Sequence, residues 1–153
     1  MRRPFLLVLI FGLFAFHFSA AAAGGKIIKV LPQFLDAKGR GSLSPSLYER
    51  DAYQAFLRGN PDKCAALAFK IEWKSKGATA PKLRVELRGT PQGDKPREFA
   101  LEKSVAPGGA FGRWTAVTLE GKEFADFGKI TAWRATLWDG NELLAEQKSF
   151  LWQ

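Results

Sequence analysis

The chain has 153 residues, of which 46% are hydrophobic and 25% charged, and its formal net charge at pH 7 is +8. This composition is typical of a globular protein, and the length suits one domain with a sizeable core better than two domains. Basic and acidic residues alternate along most segments without a block of five like charges. The pattern favours a mixed, solvated surface over a patch that binds nucleic acid or another polyanion.

The N-terminal 23 residues have the pattern of a signal peptide. Arg2 and Arg3 form a positively charged start, residues 6–18 form an apolar stretch, and residues 19–23 offer small-residue cleavage sites. The apolar stretch is shorter than the roughly 20 residues of a membrane-spanning helix, although an uncleaved anchor is the alternative. We therefore expect a secreted or periplasmic protein that contacts a membrane only transiently, during export.

The mature domain is expected to span residues 24–153 and to lack histidine, because the single histidine, His17, lies in the signal segment. Without the two Arg residues of the signal, 21 basic residues stand against 15 acidic ones, a net charge of +6. The loss of imidazole removes the commonest general base and metal ligand, so we expect no cofactor, no metal and no catalytic residues. Cys64 is the one cysteine, and is either a small buried hydrophobic residue or a handle for an intermolecular disulfide.

A helix is predicted over residues 45–58. Ser44 or Ser46 can cap its start, and Gly59 followed by Pro61 ends it. A helical wheel places five residues on one broad apolar face: Tyr48, Ala52, Tyr53, Ala55 and Phe56. This face is expected to pack on the core, and the alternative is a helix that docks a partner.

Strands are predicted for most of the remaining chain. Residues 27–31 form a first strand, with Pro32 at an edge or strand end. Alternation of apolar and polar residues predicts strands over 67–73 and 83–87, which either form a hairpin or belong to different sheets. Residues 130–138 and 143–152 form a C-terminal pair around an Asp-Gly turn. Its register stays open, with Leu137 opposite Leu144 or Glu142.

The five tryptophans divide into two groups by the phase of the strands that carry them. Trp73, Trp133 and Trp152 are in phase with core positions. Trp114 and Trp138 are predicted to point outward, beside Arg113 and Arg134. Exposed indoles of this kind stack on sugar rings or meet a protein partner, and the partner is expected to be protein rather than glycan or nucleic acid.

With two further strand-like segments, at residues 97–103 and 114–119, the chain has seven such segments in about 130 residues. This pattern resembles the immunoglobulin or fibronectin type III class of β-sandwich. The resemblance implies a mainly β, seven-stranded antiparallel sandwich, here with one amphipathic helix after the first strand and without paired cysteines. Three segments are also similar to those of uncharacterised exported bacterial proteins: KVLPQFLDAKGR, SLSPSLYERDAYQAFLR and ITAWRATLWDG.

We therefore expect a non-catalytic interaction or structural module of the bacterial envelope. A carbohydrate-binding module that uses the surface tryptophans is the first alternative. An enzyme with a carboxylate-based site is the second.

Overall fold

A computed structural model describes residues 23–92, 95–109 and 111–153. The predicted signal segment lies outside the described residues, except for residue 23. The described residues form seven strands and two α-helices, together with a 3-10 turn at Pro61–Lys63. In chain order the elements are β1 (Gly24–Asp36), α1 (Leu47–Gly59), β2 (Cys64–Lys76), β3 (Pro81–Gln92), β4 (Lys95–Ser104), β5 (Arg113–Glu120), α2 (Gly121–Phe127), β6 (Ile130–Asp139) and β7 (Glu142–Lys148).

The strands form two antiparallel sheets whose inner faces pack against each other. One sheet has three strands in the order β1-β2-β5, and the other has four in the order β4-β3-β6-β7. The core lies between them and includes Phe69 and Ile71 from β2 and Val85 from β3, all fully buried. The prediction of a mainly β protein with seven antiparallel strands is confirmed.

The connection 77–80 carries the chain from one sheet to the other, which decides between the two arrangements that the sequence left open. Because β2 and β3 lie in different sheets, they do not form a hairpin. The charged outer residues of β3 instead find partners within their own sheet. Glu86, for example, pairs with Arg134 on β6.

β1 is longer than predicted, since pairing with β2 continues as far as Asp36. The prediction that Pro32 suits an edge strand is confirmed, because β1 forms one edge of its sheet. Pro32 and Phe34 have the same orientation in the strand, and the N–H and C=O of Phe34 bond to α1 rather than to β2. The missing N–H of Pro32 is therefore also on the free side, where no ladder bond is lost.

α1 begins at Leu47, with Ser46 as its N-cap. The prediction that its aromatic face enters the core is wrong. Its buried residues are Gln54 and Leu57, whereas Tyr48 is 83% exposed and Phe56 48% exposed. The reason is that polar contacts from Tyr53 and Gln54, described below, set the rotation of the helix about its axis. A second helix, α2, follows β5 and buries Phe127 in the core.

Both registers considered for the C-terminal hairpin are wrong. Asp139 pairs with Glu142 around a Gly140–Asn141 turn, and a bulge after Leu137 sets that residue opposite Ala145. Gly140 has φ 57°, and no described non-glycine residue has positive φ. This excludes the type I′ turn, which requires positive φ at both central positions.

Of the three tryptophans predicted to be in the core, two pack there and one does not. Trp73 is buried, and Trp133 packs against Phe69 with ring centroids 6.2 Å apart. Trp152 lies beyond the end of β7, over the guanidinium of Arg88 on the outer face of the four-stranded sheet. Its predicted core position is wrong because the strand ends four residues before it.

Candidate functional site

The predicted site residues fall on different sheets. Arg113 and Trp114 lie on β5, an edge strand of the three-stranded sheet, whereas Arg134 and Trp138 lie on β6, inside the four-stranded sheet. Trp114 and Trp138 alternate with buried residues and so project from the outer faces of the two sheets, in opposite directions. The two indoles therefore cannot stack on one sugar or contact one side of a partner together.

The two indoles also differ in exposure. Trp114 is 52% exposed, whereas Trp138 is half-buried, and its Nε1 donates a hydrogen bond to Thr136 Oγ1 at 2.8 Å. Of the predicted pair, Trp114 is the indole that offers a face to solvent.

Arg134 belongs to a network of ion pairs across the outer face of the four-stranded sheet. Its guanidinium lies 2.6 Å from Glu86 and 3.5 Å from Glu146. Arg84 pairs with the same Glu86 at 3.2 Å and with Glu102 at 3.6 Å. These pairs are partly exposed, and ion pairs at a protein surface each contribute roughly 0 to 1 kcal/mol to stability. They neutralise the face, so the predicted role of Arg134 as a free cation for a ligand finds no support in its contacts.

An open cavity of about 540 Å³ lies beside this network. Trp152 closes one side, with Arg88 4.1 Å and Arg134 5.2 Å from its ring centroid. Arg88 also bonds Glu98 at 3.2 Å and the Gln153 carbonyl at 2.8 Å. Most of the charged side chains that border the cavity are thus paired with one another, although Arg84 Nε is buried and has no hydrogen-bond partner within the described ranges.

A second groove, of about 440 Å³, lies between the two sheets, where the end of β4 on the four-stranded sheet faces the start of β5 on the three-stranded sheet. The buried Trp73 lines the groove, and its Nε1 donates to Thr115 Oγ1 at 2.9 Å. Lys103 reaches across the groove from β4, and its Nζ donates to the Ala116 carbonyl at 2.9 Å. Arg113 and Trp114 line the groove as well. Arg113 and Trp114, two of the four residues predicted to contact a ligand or partner, therefore lie at one concave site.

Helix α1 is fixed to the free edge of β1 by the side-chain amide of Gln54. Its Oε1 accepts from the Phe34 N–H at 2.9 Å, and its Nε2 donates to the carbonyls of Phe34 at 2.9 Å and Gly41 at 2.8 Å. The amide thus occupies the two backbone groups that a further strand would use. Hydropathy reasoning missed Gln54 because it treats a glutamine as a surface residue.

The Asp36 carboxylate forms a second attachment of α1. It accepts hydrogen bonds from Tyr53 Oη at 2.7 Å, from Arg40 Nε at 2.9 Å, and from the N–H groups of Lys38 and Arg40 at 2.8 and 2.9 Å. The Arg40 N–H contributes most, and together these donors hold the pKa of the Asp36 carboxyl well below its usual range. The bond to Asp36, followed by burial, raises the pKa of Tyr53.

These attachments bury Leu57 but leave other apolar side chains of α1 facing solvent. We define the helix surface as three exposed side chains of α1 and one that precedes it: Leu47 (67%), Tyr48 (83%), Phe56 (48%) and Leu43 (61%). The Phe56 ring also stacks on Tyr53 at 5.9 Å, which ties its position to the Asp36 contacts. Four large apolar side chains exposed in one short segment favour an interaction site, because exposed apolar residues on a soluble protein are usually single and scattered.

Cys64 lies half-buried at the start of β2, where its thiol donates to the Leu57 carbonyl at 3.2 Å. Burial, and then the negative charge of Asp62, raise the pKa of the thiol. The group is therefore held as a thiol rather than as the more reactive thiolate. This environment is closer to that of a small buried hydrophobic residue than to that of a cysteine available for an intermolecular disulfide.

In the part of the chain that the structure describes, no group of three or more His, Cys, Asp or Glu side chains is arranged to hold a metal ion. Among the same residues, no helix is long and apolar enough to cross a membrane. The chain matches no protein-family model, and a search of the curated proteins finds no significant relative. The contacts described above therefore carry the functional argument.

Proposed function

We propose that this chain is an exported, non-catalytic interaction module of the bacterial envelope that binds a protein partner through the helix surface. The observation that carries the proposal is the orientation of α1. Polar contacts of Gln54 and Tyr53, together with the buried Leu57, fix the helix to the sandwich, whereas Leu47, Tyr48 and Phe56 stay exposed. A helix used only to cover the sandwich would bury that face instead.

Charge favours a protein over a membrane as the ligand of the helix surface. A helix that binds an anionic bilayer carries an excess of Lys and Arg beside its apolar face. In α1 the basic residues Arg50 and Arg58 are balanced by Glu49 and Asp51, and Arg50 is already paired with Asp51 at 2.8 Å. A balanced rim around exposed aromatic residues is the usual composition of a protein interface.

Seven antiparallel strands in two packed sheets support an immunoglobulin- or fibronectin type III-like identity for the sandwich. The strand order differs from the constant-type immunoglobulin arrangement, in which the fourth strand pairs with the fifth. Here β4 pairs with β3 instead. Domains of this architecture serve many functions, so the fold alone does not select one.

The proposal can be tested by site-specific photocrosslinking in intact cells. A photoreactive amino acid at position 48 is expected to yield an adduct with one envelope protein. The same amino acid at position 143, on the other sheet, should not yield it. The captured protein is then purified and titrated with the mature domain. Tyr48→Ser combined with Phe56→Ser should weaken binding at least tenfold.

The matched control is Leu143→Ser combined with Phe150→Ser, which removes two exposed apolar side chains elsewhere. Equal weakening by both pairs, or no specific adduct at position 48, overturns the proposal. An adduct of twice the domain mass identifies a second copy of the chain and also overturns it.

A further inference from the structure

The free edge of β5 differs from that of β1 in how it is protected. In an antiparallel strand, alternate residues direct both N–H and C=O to the same side. The Ala116 carbonyl accepts from Lys103 rather than from β2, so Trp114, Ala116 and Thr118 direct their backbone groups outward. Among the described residues, no other backbone group bonds to that side of these three residues.

At the β1 edge, Pro32 removes a donor and the amide of Gln54 occupies the groups of Phe34. At the β5 edge, the only cap found in the described structure is the Lys103 ammonium on one carbonyl. Lysine has a flexible stem and its head group is well hydrated, so this cap is easily displaced. A charged lysine at a sheet edge disfavours non-specific strand pairing, but the backbone groups of the edge remain able to pair with a strand.

The groove beside this edge carries positive charge. Lys103 and Arg113 are both exposed and line the groove, and neither forms an ion pair within the described residues. This contrasts with the outer face of the four-stranded sheet, where Arg84 and Arg134 are paired with Glu86. Trp114 adds an exposed indole next to the two cations.

We propose that the groove between β4 and β5 binds an extended acidic peptide as a fourth strand of the three-stranded sheet. The peptide backbone pairs with Trp114, Ala116 and Thr118. Its carboxylates bind Lys103 and Arg113, so Lys103 moves from the Ala116 carbonyl to the ligand. Strand addition of this kind takes affinity from main-chain hydrogen bonds and specificity from side chains. The site is at the opposite edge of the sheet from β1 and is independent of the helix surface.

The test uses a capped ten-residue peptide of alternating threonine and glutamate, added to the mature domain and followed by amide hydrogen exchange and titration. Binding should slow exchange of the Trp114, Ala116 and Thr118 amides at least tenfold. A peptide of alternating threonine and lysine should not bind. The Thr-Glu peptide with alternate backbone amides methylated keeps its charge and should lose the protection.

Lys103→Ala combined with Arg113→Ala should weaken binding of the Thr-Glu peptide at least tenfold. The matched control is Lys29→Ala combined with Lys74→Ala, which removes the same charge from exposed positions on the same sheet and should leave binding unchanged.

Three results would overturn the proposal. The first is no binding of the Thr-Glu peptide at millimolar concentration. The second is equal binding of the methylated peptide, which indicates electrostatic adsorption alone. The third is concentration-dependent protection of the same three amides without peptide, which assigns the edge to a second copy of the chain.

Discussion

At the scale of single residues, Asp36 shows how one carboxylate can organise a loop and a helix together. It accepts hydrogen bonds from the loop at Lys38 and Arg40 and from the helix at Tyr53. All of these donors favour the ionised form, so the folded protein holds the proton less tightly than the unfolded chain does.

We predict an acid-sensitive contribution from Asp36 to the free energy of unfolding. Because its pKa is lowered on folding, the contribution is complete above the unfolded value of about 4 and is lost as the pH falls toward the lower folded pKa. Denaturant unfolding between pH 2 and 7 should show a smaller loss of stability in acid for Asp36→Asn than for the wild type. Identical pH slopes for the two proteins would contradict this assignment.

Gly89 is a residue whose missing side chain is required by packing. A Cβ at this position would lie 2.7 Å from Cε1 of the buried Phe127 and 3.0 Å from the Lys129 carbonyl oxygen. Gly89→Ala should therefore lower the free energy of unfolding by about 1 to 3 kcal/mol through overpacking, measured by denaturant titration. Gly59→Ala is the control, since nothing lies within 4 Å of its Cβ position, and a comparable loss there would refute the explanation.

At the scale of elements, α1 acts as a cover for the β1 edge, and Gln54 makes the contact. We predict that Gln54→Ala lowers the free energy of unfolding by about 1 to 3 kcal/mol, because the partly buried N–H and C=O groups of Phe34 lose their partners. Hydrogen exchange should become faster at the Phe34 amide. Asp51→Ala, an exposed position on the same helix, should change neither quantity. If both variants behave alike, Gln54 is not the attachment.

The sequence predicts the side of the sheet on which a strand residue lies much better than it predicts which strand pairs with that residue's own. Alternation placed Phe69, Ile71 and Val85 in the core because a two-residue period decides only the side of the sheet. Strand partners depend on where the chain crosses between sheets. The short connection 77–80 carries no local signal that separates a hairpin from a crossing. The C-terminal register failed for a related reason, since the bulge after Leu137 shifts the pairing by one residue.

Hydropathy also misplaced the side chains that define the helix surface. The apolar face of a helical wheel is usually buried. In α1, the partly buried hydrogen bonds of Gln54 and Tyr53 turn a different face of the helix toward the sandwich. The candidate groove was anticipated in part, because outward phase identified Trp114 with its neighbour Arg113. Lys103 was missed, since it comes from a strand that is distant in sequence and meets β5 only in the folded protein.

At the scale of the whole molecule, the two sheets differ in how far apart in sequence their paired strands lie. The four-stranded sheet contains β3–β4 and β6–β7, which are neighbours in the chain. The three-stranded sheet has no pair of strands joined by a short turn. Residues 37–63 separate β1 from β2, and residues 77–112 separate β2 from β5. Closing long loops costs entropy before any contact is gained, and slows folding.

We therefore predict that amides of β3, β4, β6 and β7 become protected earlier in refolding than those of β1, β2 and β5. Pulsed hydrogen exchange during dilution from denaturant measures the order. Simultaneous protection of both sheets, or earlier protection of β2, would contradict it.

The same delay gives β5 a period in which neither of its sides is occupied. During that time its row of unpaired amides and carbonyls is open to any extended chain in the solution, including other unfolded copies. Aggregation during refolding should accordingly begin at β5, and should rise with protein concentration more steeply when the Lys103 side chain is removed.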